Sequence, residues 1–134
     1  WVPFTLNATG VGRLRGGESI SQAFAALGHQ PVSGILLNCS TPEAISAGIP
    51  ALTSLPTRFR GAYANRFVPV SDDVPRGDRA LEDDAVADRD DLTPEGYAHH
   101  AAAWLARGVN VIGGCCGVGP TYIAALKKLI TTGA

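Results

Sequence analysis

Three cysteines are the residues whose type and spacing most clearly suggest chemistry in this chain. Cys39 directly follows the apolar run "GILLN", and Cys115 and Cys116 directly follow "VNVIGG". Three thiolates suit a borderline-soft ion such as zinc, and a catalytic zinc keeps its fourth position open for a substrate. An odd number of cysteines in a chain that opens without a secretion signal also favours metal binding or catalysis over a disulfide framework.

The same cysteines allow two other interpretations. Free cysteine is among the most buried residue types, so Cys39 alone fits a place in the core. The adjacent pair, Cys115 and Cys116, could instead form a redox-active vicinal disulfide. Neighbouring residues of a strand point to opposite faces, so the pair can bind one ion only if the chain turns there. The glycines on both sides of the pair provide the freedom for such a turn.

The elements that would position the cysteines alternate between strands and helices. Four short apolar runs predict buried strands, and a helical pattern follows each of them. These runs are "WVPFTL", "SGILLNCS", "RFRGAYAN" and "VNVIGG". The alternation predicts an α/β fold of parallel βα units, either a small open sheet or half of an eight-unit barrel. Because parallel strands end at one edge, the three cysteines can meet there although Cys39 and Cys115 are far apart in sequence.

Local signals predict where the helices begin. Ser19 and Gln22 form a potential capping box for a helix from about Ser19 to Leu27. Thr41 with Pro42 predicts the start of the second helix, and Pro50 should kink or split it. The same Thr-Pro-Glu start opens the third helix, in "LTPEGYAHHAAAWLARG", and the last helix lies in "GPTYIAALKKLI".

Length and composition favour one partial domain over residues 1–134. Hydrophobic residues make up 46% of the 134 residues and charged residues 17%, which is typical of globular proteins. The net charge of -1 gives no support for a nucleic-acid partner, and no apolar run is long enough for a membrane span. We therefore expect a cytoplasmic protein. The absence of methionine, even at position 1, indicates a piece of a longer chain, and a barrel of this kind needs about 250 residues.

An acidic loop, residues 71–92, separates the third strand from its helix. Its stretch "SDDVPRGDRALEDDAVADRDD" holds nine of the twelve acidic residues. No window fits a calcium loop, because ligand positions counted from Asp84 or Asp88 fall on Val86 or Leu92. We expect a solvated loop. Its place at the carboxyl edge of the sheet leaves a lid role open.

Two segments together resemble a known family. "GILLNCSTPEAI" and "VNVIGGCCGVGPTYIAAL" are similar to the zinc-dependent homocysteine S-methyltransferases, which have Asn-Cys after one barrel strand and Gly-Gly-Cys-Cys after the last. "WVPFTL" and "RLRGGES" also resemble that family's Ser-Phe-Thr strand and Gly-Glu-Ser turn. The resemblance therefore runs across most of the chain.

This resemblance implies a fold, a cofactor and a reaction. The fold would be the carboxyl-terminal half of a (βα)8 TIM barrel, and Cys39, Cys115 and Cys116 match the family's three zinc ligands. In the family, zinc binds the sulfur of homocysteine and favours its thiolate. The thiolate takes a methyl group from an onium or methylated donor, such as a sulfonium, a betaine or a methylated folate, to give methionine.

One loop departs from the family pattern. Where the family usually has Tyr-Pro-Asn, this chain has Tyr63, Ala64 and Asn65, with Arg66 next. By this match Asn65 is a candidate substrate-binding residue, in a loop that otherwise departs from the family pattern. The family's first four βα units are absent, so a noncatalytic zinc-binding or self-associating half-barrel is the alternative function. Open sheet edges predict a homo-oligomer or association with the other half-barrel.

Overall fold

The computed structural model describes residues 1–8, 11–69 and 87–132. Within these ranges, strands and helices alternate four times along the chain. The elements are β1 (Val2–Thr5), α1 (Ile20–Ala26), β2 (Gly34–Asn38), α2 (Pro42–Thr53), β3 (Phe59–Tyr63), α3 (Pro94–Ala106), β4 (Val111–Ile112) and α4 (Pro120–Thr132).

The four strands form one parallel sheet in the order β1-β2-β3-β4. The α/β class predicted from the sequence is therefore confirmed, and the sheet is consistent with part of a TIM barrel. Sheet order equal to chain order, with the usual right-handed connections, places the helices on one face of the sheet. All four carboxyl ends lie at a single edge, which is where both cysteine segments begin.

The predicted helix starts are present as capped helices. Ser19 and Gln22 form the capping box of α1. Thr41 caps α2 through a 3.2 Å bond from the Ala44 N–H, and Thr93 caps α3 in the same way. Each such bond pairs a backbone N–H that has no partner inside the helix, a contribution of about 1 kcal/mol.

The expectation that Pro50 could split the second helix is wrong, because α2 runs unbroken from Pro42 to Thr53 with Pro50 inside it. Pro50 lies on the exposed side, while Ile45, Ile49 and Leu52 on the other side are fully buried. Burying three such side chains contributes several kcal/mol, which exceeds the roughly 3 kcal/mol cost of an interior proline.

The core lies between the sheet and the helices. Its largest members are Trp104 and Tyr97 of α3, which pack edge to face with ring centroids 6.1 Å apart. The Trp104 indole N–H donates to the Ser46 hydroxyl at 2.8 Å, so the one polar atom of this side chain is paired. Tyr97 also packs edge to face on Tyr122, so these three rings join α3 and α4, and the Ser46 bond connects them to α2.

The opposite sheet face carries the row Pro3, Leu36, Gly61 and Val111 in register. Leu36 covers Gly61, where an added Cβ would lie 2.5 Å from a Leu36 methyl carbon. In the part of the chain that the structure describes, β1 and β4 each pair with one strand only. This arrangement leaves a hydrogen-bonding edge on either side of the sheet.

Two further expectations from the sequence concern the acidic loop and membrane-spanning helices. Most of the predicted acidic loop, residues 71–92, lies outside the described residues, which resume at residue 87. Among the helices described, the longest have 13 residues, and none is long and apolar enough to cross a membrane.

Candidate metal site

The structure brings the three cysteine sulfurs together at the carboxyl edge of the sheet. The Sγ atom of Cys116 lies 3.6 Å from that of Cys39 and 3.8 Å from that of Cys115. All three lie within 4.8 Å of one another. Two sulfurs bound to zinc at about 2.3 Å with tetrahedral angles stand about 3.8 Å apart. The cluster therefore already has nearly the spacing of three ligands of one tetrahedral ion.

A turn after β4 allows both adjacent cysteines to reach the cluster. The strand ends at Ile112, before the pair, and the Val118 N–H donates to the Cys115 carbonyl at 3.1 Å to close a turn. Gly117 within this turn has φ of 75°, which L side chains rarely adopt. The chain thus turns at the pair, as joint binding of one ion requires.

Cys39 is held in an unusual backbone conformation. Its φ of 43° is the only positive value among the described residues other than glycine. Such a conformation costs about 1–2 kcal/mol and persists only where neighbouring contacts enforce it. Here the Cys39 N–H donates to the Tyr63 carbonyl at 3.1 Å, which continues the β2–β3 pairing one residue past β2. The strain turns the chain at the point where the thiol must join the other two.

Buried hydroxyl groups fix the backbone on both sides of the cluster. Ser40 accepts from the Leu6 N–H at 2.9 Å and donates to the Asn38 carbonyl at 2.8 Å. The Asn38 side chain in turn accepts from the Thr5 hydroxyl at 2.8 Å. These bonds tie the ends of β1 and β2 together around Cys39.

Tyr97 performs the same task between β3 and β4. Its hydroxyl is fully buried, accepts from the Ala64 N–H at 2.9 Å and donates to the Gly113 carbonyl at 2.8 Å. The Cys115 N–H then donates to the Ala64 carbonyl at 2.9 Å. Sequence reasoning missed Tyr97. The available signal was its position four and seven residues before the inward-facing Ala101 and Trp104.

The thiols of Cys39 and Cys115 have pKa values shifted in opposite directions. Burial opposes ionisation of Cys39, but donation from the Cys115 and Cys116 thiols, the Cys116 backbone N–H and the Asn65 side chain outweighs it and lowers the pKa of Cys39. Burial, followed by the hydrogen bond to Cys39, raises the pKa of Cys115 to about 12. Cys39 therefore loses its proton more readily than Cys115 does.

The phenol of Tyr63 lies close enough to the cluster to sense its charge. Burial raises the pKa of Tyr63, and the negative charges of Cys115 and Cys39 raise it further. The phenol therefore stays protonated beside an ionised cluster and keeps its hydrogen available as a donor.

Asn65, the candidate substrate-binding residue, lies beside Cys39. Its side-chain oxygen accepts from the Phe67 N–H at 3.2 Å, which fixes the amide, and its side chain hydrogen-bonds Cys39. Asn65, Cys39, Arg15 and Phe67 all line a cavity of about 320 Å³. The cavity thus offers an amide, a guanidinium and an aromatic ring next to one of the thiols.

Two arginines link the described end of the acidic loop to other parts of the fold. Arg89 donates from one nitrogen to both carboxylate oxygens of Glu43, at 2.9 and 2.8 Å, and pairs with Asp91 at 2.6 Å. Arg66 pairs with Asp88 at 2.7 Å. No local pattern predicts the Arg89–Glu43 and Arg66–Asp88 pairs, because their partners are distant in the chain and meet only in the folded protein.

The two adjacent histidines on α3 do not contribute to the cluster. His99 is exposed, whereas His100 is half-buried with its ring 6.1 Å from that of Trp104. Burial lowers the pKa of His100; the charge of Glu43 opposes this shift, and those of His99 and Arg89 add to it. His100 is thus a core-edge residue that the fold prefers in its neutral form.

Comparison with known protein families gives a match over almost the whole chain. The sequence profile of the homocysteine S-methyltransferases matches residues 1–130, nearly the whole chain. The chain therefore belongs to the homocysteine S-methyltransferase family, as the resemblance in the sequence suggested.

Proposed function

We propose that this chain carries the metal site of a homocysteine S-methyltransferase. The reaction would transfer a methyl group from an onium or methylated donor to the thiolate of homocysteine and so give methionine. The observation that carries the proposal is the cluster formed by the sulfurs of Cys39, Cys115 and Cys116 within 4.8 Å. Membership of the family supplies the reaction class.

The cluster fits zinc in chemistry and in spacing. Cys39, Cys115 and Cys116 would hold the ion through three sulfur ligands, and a fourth position would remain for the substrate. Zinc would supply the means to deprotonate a substrate thiol at neutral pH. Three cysteine thiolates carry one more negative charge than a divalent ion neutralises. That excess charge favours a nucleophilic substrate sulfur and attracts a positively charged methyl donor.

The remaining residues of the site orient the reactants. Ser40 and Tyr97 fix the strand ends so that the thiols need little rearrangement, which reduces the entropic cost of assembling the site. The cavity beside Cys39 provides space for substrate groups, and we propose Asn65 as a substrate contact there. Arg15 in the same cavity can pair with a carboxylate, and Phe67 can contact an onium group.

We further propose that the four βα units form the carboxyl-terminal half of a (βα)8 barrel, as one partial domain over residues 1–134. The support is the parallel sheet in chain order with all site residues at its carboxyl edge, where barrel enzymes place their active sites. A cytoplasmic location remains part of this proposal because the thiols must stay reduced.

A second candidate function is a noncatalytic, zinc-binding half-barrel that self-associates. The edges of β1 and β4, each with one described neighbour, favour it. Exposed apolar side chains, Trp1 at 61% and Ile130 at 62%, also favour association. Sedimentation at micromolar concentration distinguishes a dimer from a monomer.

Homocysteine binding tests the proposed function without requiring turnover. The zinc-loaded chain is titrated with homocysteine in weak buffer, and we expect the release of about one proton per chain as the thiol ionises. Homoserine, which has a hydroxyl in place of the thiol, should release none. The variant Cys116→Ser should lose the signal, whereas Ser54→Ala, at the far end of α2, should keep it. Equal proton release with both ligands would contradict the proposal.

A methyl-transfer assay then separates the two candidate functions. Donors with an isotopically labelled methyl group, a sulfonium, a betaine and a methylated folate, are each incubated with homocysteine and the zinc-loaded chain. Labelled methionine from one donor supports the enzyme. Homocysteine binding without labelled methionine from any donor favours the noncatalytic module.

A further inference from the structure

Three segments of the chain meet at the side chain of Arg66, which lies three residues after the end of β3. Its Nη1 atom pairs with Asp88 Oδ2 at 2.7 Å, and its Nε donates to the Arg89 carbonyl at 3.3 Å. The guanidinium carbon lies 5.5 Å from the ring centroid of Tyr122 in α4. Only 22% of the side chain is exposed, so these contacts leave the guanidinium little freedom.

The backbone of Arg66 directly contacts the cysteine turn. Its N–H donates to the Cys116 carbonyl at 2.9 Å, and its own carbonyl accepts from the Arg89 N–H at 2.8 Å. Gly117 packs against the same place: a Cβ added there would lie 3.1 Å from Arg66 Cβ and 2.9 Å from Asp88 Oδ1. Cys116 therefore lies on a backbone that Arg66 holds from one side.

The cysteine turn needs such support because of its composition. The segment "GGCCGVG" contains four glycines, and each loses more backbone entropy on ordering than other residues do. Cys116 is the exposed member of the three cysteines, so core packing contributes least to its position. The Ala64 carbonyl anchors Cys115, and the Arg66 N–H anchors Cys116.

We propose that Arg66 is a positioning residue for the metal site: the contacts of its guanidinium with Asp88, Arg89 and Tyr122 fix its backbone, and its N–H then holds the Cys116 carbonyl so that the Cys116 sulfur completes the three-thiolate set. This role rests on the proposed zinc site. It also couples the site to the described end of the acidic loop, because Asp88 and Arg89 belong to that loop. Removing the guanidinium loosens the turn and weakens metal binding, while all three ligands remain.

Zinc affinity, measured by competition with a chromophoric chelator, tests the proposal. Arg66→Ala should raise the zinc Kd about 10- to 100-fold, the usual effect of losing support around metal ligands. Arg66→Lys should recover part of the affinity, because an ammonium can still pair with Asp88. The cobalt-substituted Arg66→Ala variant should also show an altered d–d spectrum, which reports ligand geometry and not stability.

Arg58 provides a matched control, because it lies at the other end of β3 with its guanidinium carbon 5.1 Å from the Phe59 ring centroid. Arg58→Ala should leave the zinc Kd within twofold of wild type. An equal loss of affinity in Arg58→Ala and Arg66→Ala would overturn the proposal, as would an unchanged Kd in Arg66→Ala.

If Arg66→Ala does not fold, a milder variant tests the same role. Asp88→Asn removes only the charge of one guanidinium partner, whose side chain is 43% exposed. Its zinc Kd should rise by at least threefold, and an unchanged Kd would overturn the role of Arg66. If the folded wild-type chain did not bind zinc, both the proposed site and the role of Arg66 would be overturned. If wild type bound zinc and the variants had the same zinc Kd, only the role of Arg66 would be overturned.

Discussion

Replacing Tyr97 with phenylalanine tests whether its hydroxyl holds the two strand ends that carry the site. The change removes one oxygen atom and preserves the ring contacts with Trp104 and Tyr122. Two backbone groups lose the partner that the structure gives them, the buried Ala64 N–H at 2.9 Å and the partly buried Gly113 carbonyl at 2.8 Å. The Ala64 carbonyl keeps its bond from the Cys115 N–H.

The expected loss of stability follows from these two groups. A buried polar group without a partner costs about 1–3 kcal/mol, so Tyr97→Phe should lower the free energy of unfolding by about 2–4 kcal/mol. With a urea m-value of about 2 kcal/mol/M, the unfolding midpoint should fall by about 1–2 M.

Urea unfolding of the reduced, metal-free chain, followed by circular dichroism, measures this loss. Tyr122→Phe is the matched comparison, because its buried hydroxyl donates one bond, to the Leu92 carbonyl at 2.6 Å. That variant should lose about 1 kcal/mol. If Tyr97→Phe lost no more than Tyr122→Phe, the hydroxyl would not hold the strand ends as described.

Two further predictions concern pH and the glycine turn. Burial lowers the pKa of His100 in the folded chain below its ordinary 6.5, the value expected in the unfolded chain. Between the folded and the unfolded pKa, the unfolded chain therefore binds more protons than the folded chain. The free energy of unfolding should thus decrease as the pH falls below about 6.5. His100→Gln should flatten that decrease between pH 7.5 and 5.5 in urea unfolding, His99→Gln should not, and equal slopes in all three proteins would refute the assignment. Gly114→Ala should lower the free energy of unfolding by about 1–3 kcal/mol, because its Cβ would overlap the Val118 side chain. Gly119→Ala, with open space at that position, should lower it by less than about 1 kcal/mol. Thermal unfolding compares the two variants, and equal losses of stability would count against the overlap.

Local signals predicted the elements of this fold well. Ser19 with Gln22, and Thr41 with Pro42, mark helix starts because each motif pairs or removes an N–H within a few residues. Pro50 misled the prediction because a proline costs less on the exposed side of a helix whose other side is deeply buried. That balance depends on tertiary packing, which no local pattern contains.

The residues of the candidate site also divide into those that local sequence patterns predict and those that only the folded structure reveals. The cysteines could be found from the sequence because all three follow predicted strands, and parallel strands end at one edge. Helix spacing could show only that Tyr97 faces inward, and the roles of Tyr97 and Arg66 could not be predicted, because their partners are backbone groups and side chains from distant segments. The positive φ of Cys39 is equally invisible in the sequence, since it results from contacts on both sides of the strand end.

The zinc-to-protein ratio of the reduced, purified chain tests the central claim most directly. Elemental analysis should give about one zinc per wild-type chain and almost none for Cys39→Ser, with Ser54→Ala as a control that retains the metal. The three sulfurs already lie within 4.8 Å, so binding requires little rearrangement. A folded wild-type chain with a ratio near zero, or one zinc retained by Cys39→Ser, would contradict the three-thiolate site.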